Sequence, residues 1–167
     1  MSKSNLCIVG LTKHFTNVVC NKLAISMDMY YANLEEIFVY ELTDFNQIEE
    51  LCGIEYLQKE ERSIVRRICS YDNTLVNIKY ALLNLDGVLD IVHNNCLLVY
   101  VALNKESFET AIDNEETSEN ARFIEKEAFD DRDFLCRRMS DLTIECNSLD
   151  EDECVEAITR GILNYYN

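Results

Sequence analysis

The sequence predicts an α/β protein of three layers, in which helices cover both faces of a five-stranded parallel sheet. Short segments that are apolar on both faces alternate with longer segments in which apolar residues recur at helical spacing. The first pattern is typical of strands buried on both sides, and the alternation favours parallel strands joined by helices. The chain has 167 residues and neither a linker nor a repeat divides it, so we expect a single domain over residues 1–167.

Five segments are predicted strands. Leu6 to Val9 form a continuous apolar run that ends at Gly10, and Cys96 to Ala102 form the strongest strand pattern in the chain. Aromatic and β-branched residues favour extended structure in the weaker segments. These are Tyr30 with Tyr31, then Leu75, Val76 and Ile78, and finally Leu142 to Ile144.

Helical spacing and capping residues predict the helices between these strands. The first helix runs from Thr16 to Met27, and a long charged helix runs from Ile54 to Cys69. Further helices are expected after Asn33, from Thr43 or Asp44 to Leu51, and from Tyr80 to Leu85. Ser148 and Glu151 form a capping box for the last helix, whose buried face carries Val155, Ile158 and Ile162.

The charge of the chain limits its partners. It carries 31 acidic and 15 basic side chains, a formal net charge of −16. Such a charge repels nucleic acid and anionic membranes, so we expect neither as a partner. Apolar runs such as Cys96 to Leu103 are too short to cross a bilayer, and no signal-peptide pattern opens the chain. We therefore expect a cytoplasmic protein.

Two further features of the composition support predictions. The eight cysteines include no Cys-x-x-Cys pair, which predicts buried free thiols and no metal site. Residues 104–131, called the acidic segment below, hold ten acidic and three basic side chains with few apolar anchors. That pattern predicts a mobile, lid-like surface segment.

Residues 5–24 have the layout of a phosphate-binding strand, loop and helix. The phosphate-binding motif reads G-x-x-x-x-G-K-[ST], in which backbone N–H groups and a lysine hold the phosphates and a hydroxyl holds Mg²⁺. Counted from Gly10, the second glycine falls on Phe15, the lysine on Thr16 and the hydroxyl residue on Asn17. The frame of the motif is present without its phosphate-binding groups, which indicates a nucleotide-kinase scaffold that has lost its reaction.

With its elements in this order, the chain resembles the shikimate kinase family over nearly its full length. The resemblance lies in Cys7 to Gly10 followed by Leu23-Ala24, and in the strand Leu97 to Leu103. It continues in Arg132 to Cys136, followed by Ser140 to Ile144, which parallel the family's Arg-x-Pro-Leu-Tyr segment, Ala-Asp and last strand. The resemblance implies a P-loop kinase fold, ATP and Mg²⁺ as cofactors, and a lid that closes over the nucleotide.

The same resemblance implies that the catalytic groups are missing. The family's Asp-x-Asp segment falls on Ala32-Asn33-Leu34, so the general base is replaced by Leu34. Its Gly-Glu-x-x-Phe-Arg segment falls on residues 53–58, where Gln58 replaces the arginine that pairs with the substrate carboxylate. Its Gly-Gly-Gly turn falls on residues 79–81, which contain no glycine. Among the family's charged positions only Arg132 is kept.

Several residues have two interpretations. Lys13 and His14 are either an exposed pair in the loop or a replacement for the missing lysine. Phe15 either fills the space of the absent phosphates or packs as a hydrophobic staple onto the following helix. Arg132 either binds an anion or forms surface ion pairs with its acidic neighbours.

The favoured hypothesis is a catalytically inactive shikimate-kinase-like protein that binds a ligand or a protein partner, without cofactors. The first alternative is an active ATP-dependent small-molecule phosphotransferase with a rebuilt phosphate loop that uses Lys13, His14 and Arg132. The second is an interaction module whose acidic segment, through Glu115, Glu116 and Glu119, recruits a basic partner.

Overall fold

A computed structural model describes residues 3–167 and contains one five-stranded sheet in which all neighbouring strands are parallel. The strand order is β2-β3-β1-β4-β5. The strands are β1 (Asn5–Gly10), β2 (Tyr30–Asn33), β3 (Thr74–Lys79), β4 (Cys96–Leu103) and β5 (Leu142–Cys146). All five predicted strands are present, and the predicted fold class is confirmed.

The helices connect these strands in alternation. They are α1 (Lys13–Ser26), α2 (Leu34–Glu41), α3 (Phe45–Cys52), α4 (Ile54–Cys69), α5 (Tyr80–Leu83), α6 (Val88–Asn95), α7 (Lys105–Asp113), α8 (Glu119–Glu127), α9 (Phe129–Met139) and α10 (Glu151–Tyr166). Asn33 caps α2 and Asp44 caps α3 through side-chain oxygens that accept backbone N–H groups, as their residue types predict.

The core lies on both faces of the sheet, because successive side chains of a strand point to opposite sides. On β1, Cys7 and Val9 belong to one buried cluster with residues of α2, α4 and α6. Leu6 and Ile8 belong to a second cluster with residues of α1 and α10. This arrangement gives the three layers that the sequence predicts.

The start of α1 differs from the prediction by three residues. The helix begins at Lys13, after an extended Thr12, and not at Thr16. Phe15, Val19 and Leu23 are all buried in the same cluster, and their spacing of four residues places them on one face of a helix. The apolar stripe of α1 therefore includes Phe15, which was assigned to a loop only because of the motif count.

Three other expectations are corrected by the structure. Helix α6 was not predicted; it follows Gly87, whose φ of +82° lies in the left-handed region that favours glycine. The cap of α10 is Asp150, whose carboxylate accepts the Glu153 N–H at 3.0 Å, and not Ser148 with Glu151. Cys146 and Cys154, at the end of β5 and the start of α10, form a disulfide, whereas the other six cysteines are free.

Most of the acidic segment is helical. It comprises α7, α8 and the start of α9, and is anchored by buried Phe108, Ile112 and Phe129. The rings of Phe108 and Phe129 lie 4.4 Å apart between centroids. The prediction of few apolar anchors rested on the number of charged residues and did not take these two aromatic residues into account. The mobility of the segment stays a prediction. Across residues 3–167, no helix is long and apolar enough to cross a membrane.

Candidate functional site

The connection between β1 and α1 is short. Only Leu11 and Thr12 separate Gly10 from the first residue of the helix. Phe15, Thr16 and Asn17, the positions counted as the end of a phosphate loop, therefore lie within the first two turns of α1. A Cβ atom added to Gly10 would lie 2.2 Å from Oγ1 of Thr16. Gly10 is thus required for the close approach of α1 to β1.

A carboxylate from the acidic segment lies at the N-terminus of α1. Oε1 of Glu115 accepts the backbone N–H of Lys13 at 2.6 Å and that of His14 at 3.4 Å. The first N–H groups of a helix have no partner within the helix and carry a partial positive charge, so they attract anions. Phosphate-binding helices use the same groups to hold phosphate oxygens. Glu115 supplies the negative charge from within the chain.

The loop that carries Glu115 is held in place by basic side chains of α8. Nη1 of Arg122 donates to the backbone carbonyls of Asp113 and Glu115, at 3.3 and 3.4 Å. Nζ of Lys126 lies 2.6 Å from a carboxylate oxygen of Asp113. The contact between Glu115 and α1 is therefore supported by a set of polar contacts within the acidic segment.

The side chain of Lys13 joins a charged group at the carboxyl end of β3. Oε1 of Glu35 lies 3.0 Å from Nζ of Lys13 and 2.7 Å from Nζ of Lys79. Partial burial of Glu35 acts to raise its pKa, but the hydrogen bonds from Lys79 and Lys13 outweigh that effect, and the pKa of Glu35 is lowered. Glu35 is therefore a carboxylate shared by two lysines.

The other positions of the expected phosphate loop make structural contacts. Oδ1 of Asn17 accepts a hydrogen bond from Nδ2 of Asn77 at 2.7 Å, and the same amide nitrogen lies 3.1 Å from the Tyr31 hydroxyl. This network joins α1 to β2 and β3. Thr16 and Phe15 are buried in the packing of α1, whereas Lys13 and His14 are exposed at its start.

A cavity of about 440 Å³ opens beside the carboxyl ends of β2 and β3. In open parallel sheets ligands bind beyond the carboxyl ends of the strands. Leu34, Gln58 and Ala81 all line the cavity, although they come from three separate segments of the chain. The resemblance assigned Leu34 and Gln58 to vestigial substrate positions and Ala81 to the family's Gly-Gly-Gly turn. Ala32, the third vestigial substrate position, lies on β2 and does not line the cavity.

The walls of the cavity differ in character. Its apolar lining comes from Leu34, Phe38, Val39, Phe45, Ala81, Leu82 and Leu85. The polar lining consists of Glu35 and Lys79 together with Gln58 and Glu61 of α4. Burial raises the pKa of Glu61, and the nearby charge of Arg62 offsets this only in part.

Sequence reasoning missed Glu61. The informative spacing was that of Gln58 and Glu61, which are three residues apart and therefore share one face of α4.

Arg132 has partners of its own. Its Nη1 atom lies 2.5 Å from a carboxylate oxygen of Glu125, and its guanidinium carbon lies 5.4 Å from the centre of the Tyr80 ring. An anion that bound Arg132 would have to compete with Glu125. Among residues 3–167 there is also no group of three or more His, Cys, Asp and Glu side chains arranged to hold a metal ion.

Comparison with solved structures identifies the fold. A shikimate kinase from Acinetobacter baumannii, in complex with shikimate, superposes with a TM-score of 0.81 over 98% of this chain and 95% of its own, at 16% identity. The chain has the shikimate kinase fold. The enzymes from Bacteroides thetaiotaomicron (TM-score 0.80, 7% identity, 98% and 99% coverage) and Aquifex aeolicus (0.73, 16%, 97% and 98%) agree.

The likeness to shikimate kinases is structural. No protein-family model and no curated protein matches the sequence. Identities of 7% to 16% support a shared fold and leave function to the residues of the site, because one fold can host unrelated activities.

Proposed function

We propose that this protein is catalytically inactive and uses a shikimate kinase fold to bind a ligand or a protein partner. The observation that carries the proposal is the contact of the Glu115 carboxylate with the first N–H groups of α1. A kinase with a phosphate-binding loop needs those groups for the nucleotide. Here they are taken by an anion that belongs to the chain itself, next to a connection that is too short for the usual loop.

Electrostatics supports the same proposal. A triphosphate that approached α1 would meet the Glu115 carboxylate at close range. Two like charges 4 Å apart repel by about 4 kcal/mol at the effective dielectric constant of a protein surface. Lys13, the first residue of α1, is already paired with Glu35. Nucleotide binding would therefore require Glu115 to move away and Lys13 to exchange its partner.

The acceptor side also lacks the groups that the resemblance leads us to expect. Leu34 stands where the resemblance places a general base, and a hydrocarbon side chain cannot accept a proton. Asn17, at the position of the Mg²⁺ ligand, is hydrogen-bonded to Asn77. These residues fit a magnesium–nucleotide poorly, and we propose that the protein uses neither ATP nor Mg²⁺.

One observation favours a second candidate, an active small-molecule phosphotransferase with a rebuilt phosphate site. Lys13 is the first residue of α1, so its side chain lies at the N-terminal end of the helix, which is the end that would face a phosphate. In this candidate Lys13 turns from Glu35 to the nucleotide, and His14 and Arg132 assist it.

Thermal unfolding with and without Mg²⁺ and ATP tests the choice. A ligand at 100 times its dissociation constant stabilises a protein by about 2.7 kcal/mol, which is readily detected. We expect no shift with MgATP and no phosphorylated product with shikimate as acceptor. A shift together with product would overturn the proposal. In that case Lys13→Ala should abolish turnover, while Lys59→Ala, at an exposed position of α4, should not.

A further inference from the structure

One charged side chain of the cavity has no contacting partner among residues 3–167. Three charged side chains line it: Glu35, Lys79 and Glu61. Glu35 and Lys79 are paired at 2.7 Å, with Lys13 as a further partner of Glu35. Within residues 3–167, no hydrogen bond or ion pair reaches the Glu61 carboxylate. The cavity therefore contains one acidic group whose charge is left without a contacting partner.

Glu61 lies beside a polar side chain in a lining that is otherwise mostly apolar. Gln58 lies three residues before it on the same face of α4, and its side-chain amide has a free carbonyl acceptor. Partial burial makes the unpaired charge of Glu61 costly, and a cation of a ligand would remove that cost. Apolar lining comes from residues such as Phe38, Phe45 and Leu82.

We propose that this cavity binds a small molecule with an apolar body and a protonated amine, the amine being held by Glu61 and Gln58. The inference rests on the proposed function, because it takes the cavity as the ligand site of a non-catalytic protein. The volume of about 440 Å³ lies within the range of small-molecule sites, about 300–1,000 Å³. The net charge of −16 also attracts cations and disfavours carboxylate or phosphate ligands.

Three probes with the same apolar body and different charge test the ligand class. Phenethylamine is cationic, phenethyl alcohol is neutral and hydrocinnamate is anionic at neutral pH. Each is titrated into the full-length protein and followed by amide NMR spectra. We expect the amine to bind about tenfold more tightly than the alcohol, because a hydrogen bond to a charged group strengthens binding by about that factor. Hydrocinnamate should bind most weakly, and the shifted signals should lie around the cavity in α2 and α4.

Variants locate the contact. Glu61→Gln should weaken binding of phenethylamine about tenfold and leave binding of phenethyl alcohol unchanged. Glu55→Gln, at an exposed position of the same helix, removes the same charge away from the cavity and should change neither. Ala81→Phe, at the rim of the cavity, should weaken binding of both probes by obstruction.

The results separate this inference from the proposed function. Equal binding of all three probes, no binding of any, or amine binding unaffected by Glu61→Gln would overturn the inference. A parallel titration with MgATP addresses the proposed function alone. If neither phenethylamine nor MgATP binds, the proposal of an inactive protein stands, and its ligand belongs to another chemical class. Binding and turnover of ATP would show that the protein is active, whatever the relative affinities of the three probes.

Discussion

Replacing Glu115 by alanine should destabilise the protein through a helix that lies far away in the sequence. Glu115 follows α7, whereas its backbone partners Lys13 and His14 are the first two residues of α1, 102 and 101 positions away. The substitution removes the acceptor and the negative charge from the N-terminus of α1. It leaves at least one N–H of the first turn without a protein partner.

The magnitude follows from these two contributions. Loss of a side-chain acceptor at a helix N-terminus typically costs about 1 kcal/mol. A negative charge near the same end contributes about 0.3–1 kcal/mol more. We therefore expect Glu115→Ala to lower the free energy of unfolding by about 1–2 kcal/mol. In a protein of this size, that corresponds to a fall in melting temperature of about 3–6 °C.

Thermal and denaturant unfolding measure the effect, and Glu116→Ala is the matched control. Glu116 is the next residue in the same loop, is exposed, and carries the same charge without contacting α1, so its replacement should change stability by less than about 0.5 kcal/mol. Inorganic phosphate should stabilise the Glu115→Ala protein, whose helix end is free, and not the wild type. Equal effects of the two substitutions would show that the carboxylate at α1 has no special role.

Two further predictions concern residues near the carboxyl ends of the strands. Gly10→Ala should lower the free energy of unfolding by about 1–3 kcal/mol through overpacking against Thr16. The loss of stability should be smaller when Thr16 is also replaced by alanine. An equal loss in both backgrounds would contradict the packing argument. Glu35→Gln should lower stability at neutral pH by up to about 1 kcal/mol, because the two lysines it leaves unpaired are more than half exposed. Since the pKa of Glu35 is lowered by folding, this difference should be fully present above the unfolded pKa of about 4.3 and vanish as pH falls through the folded value. Stability measured against pH checks this, and Glu36→Gln, on the exposed side of the same helix turn, should show no such dependence.

The sheet could be predicted from sequence because each strand carries its own local signal. Leu6 to Val9 and Cys96 to Ala102 are continuous apolar runs, and both are strands in the structure. Helix boundaries were predicted well where a cap gave a local signal, as at Asn33 and Asp44. They were wrong at α1, where a motif was given more weight than the stripe of Phe15, Val19 and Leu23.

Sequence analysis could indicate individual positions of the candidate site but not the contacts between distant segments. Leu34 and Gln58, which the resemblance places in two separate segments, both line one cavity in the structure. The contact between Glu115 and α1 joins residues about a hundred positions apart, and no local pattern specifies such a pair among ten acidic residues of the same segment. The importance of Glu61 depends on the absence of a partner, which only the folded arrangement of the described residues reveals.

The two parts of the site depend on different kinds of structure. A phosphate site of this fold is made of backbone N–H groups in a loop, and α1 remains anchored through Phe15, Val19 and Leu23 when that loop is short. The cavity, in contrast, is lined by Leu34, Phe38 and Leu82, which also belong to the core between the sheet and α4. Removing the cavity would therefore cost packing energy. Under the proposed function, a protein that binds a small molecule without transferring phosphate would keep this core intact.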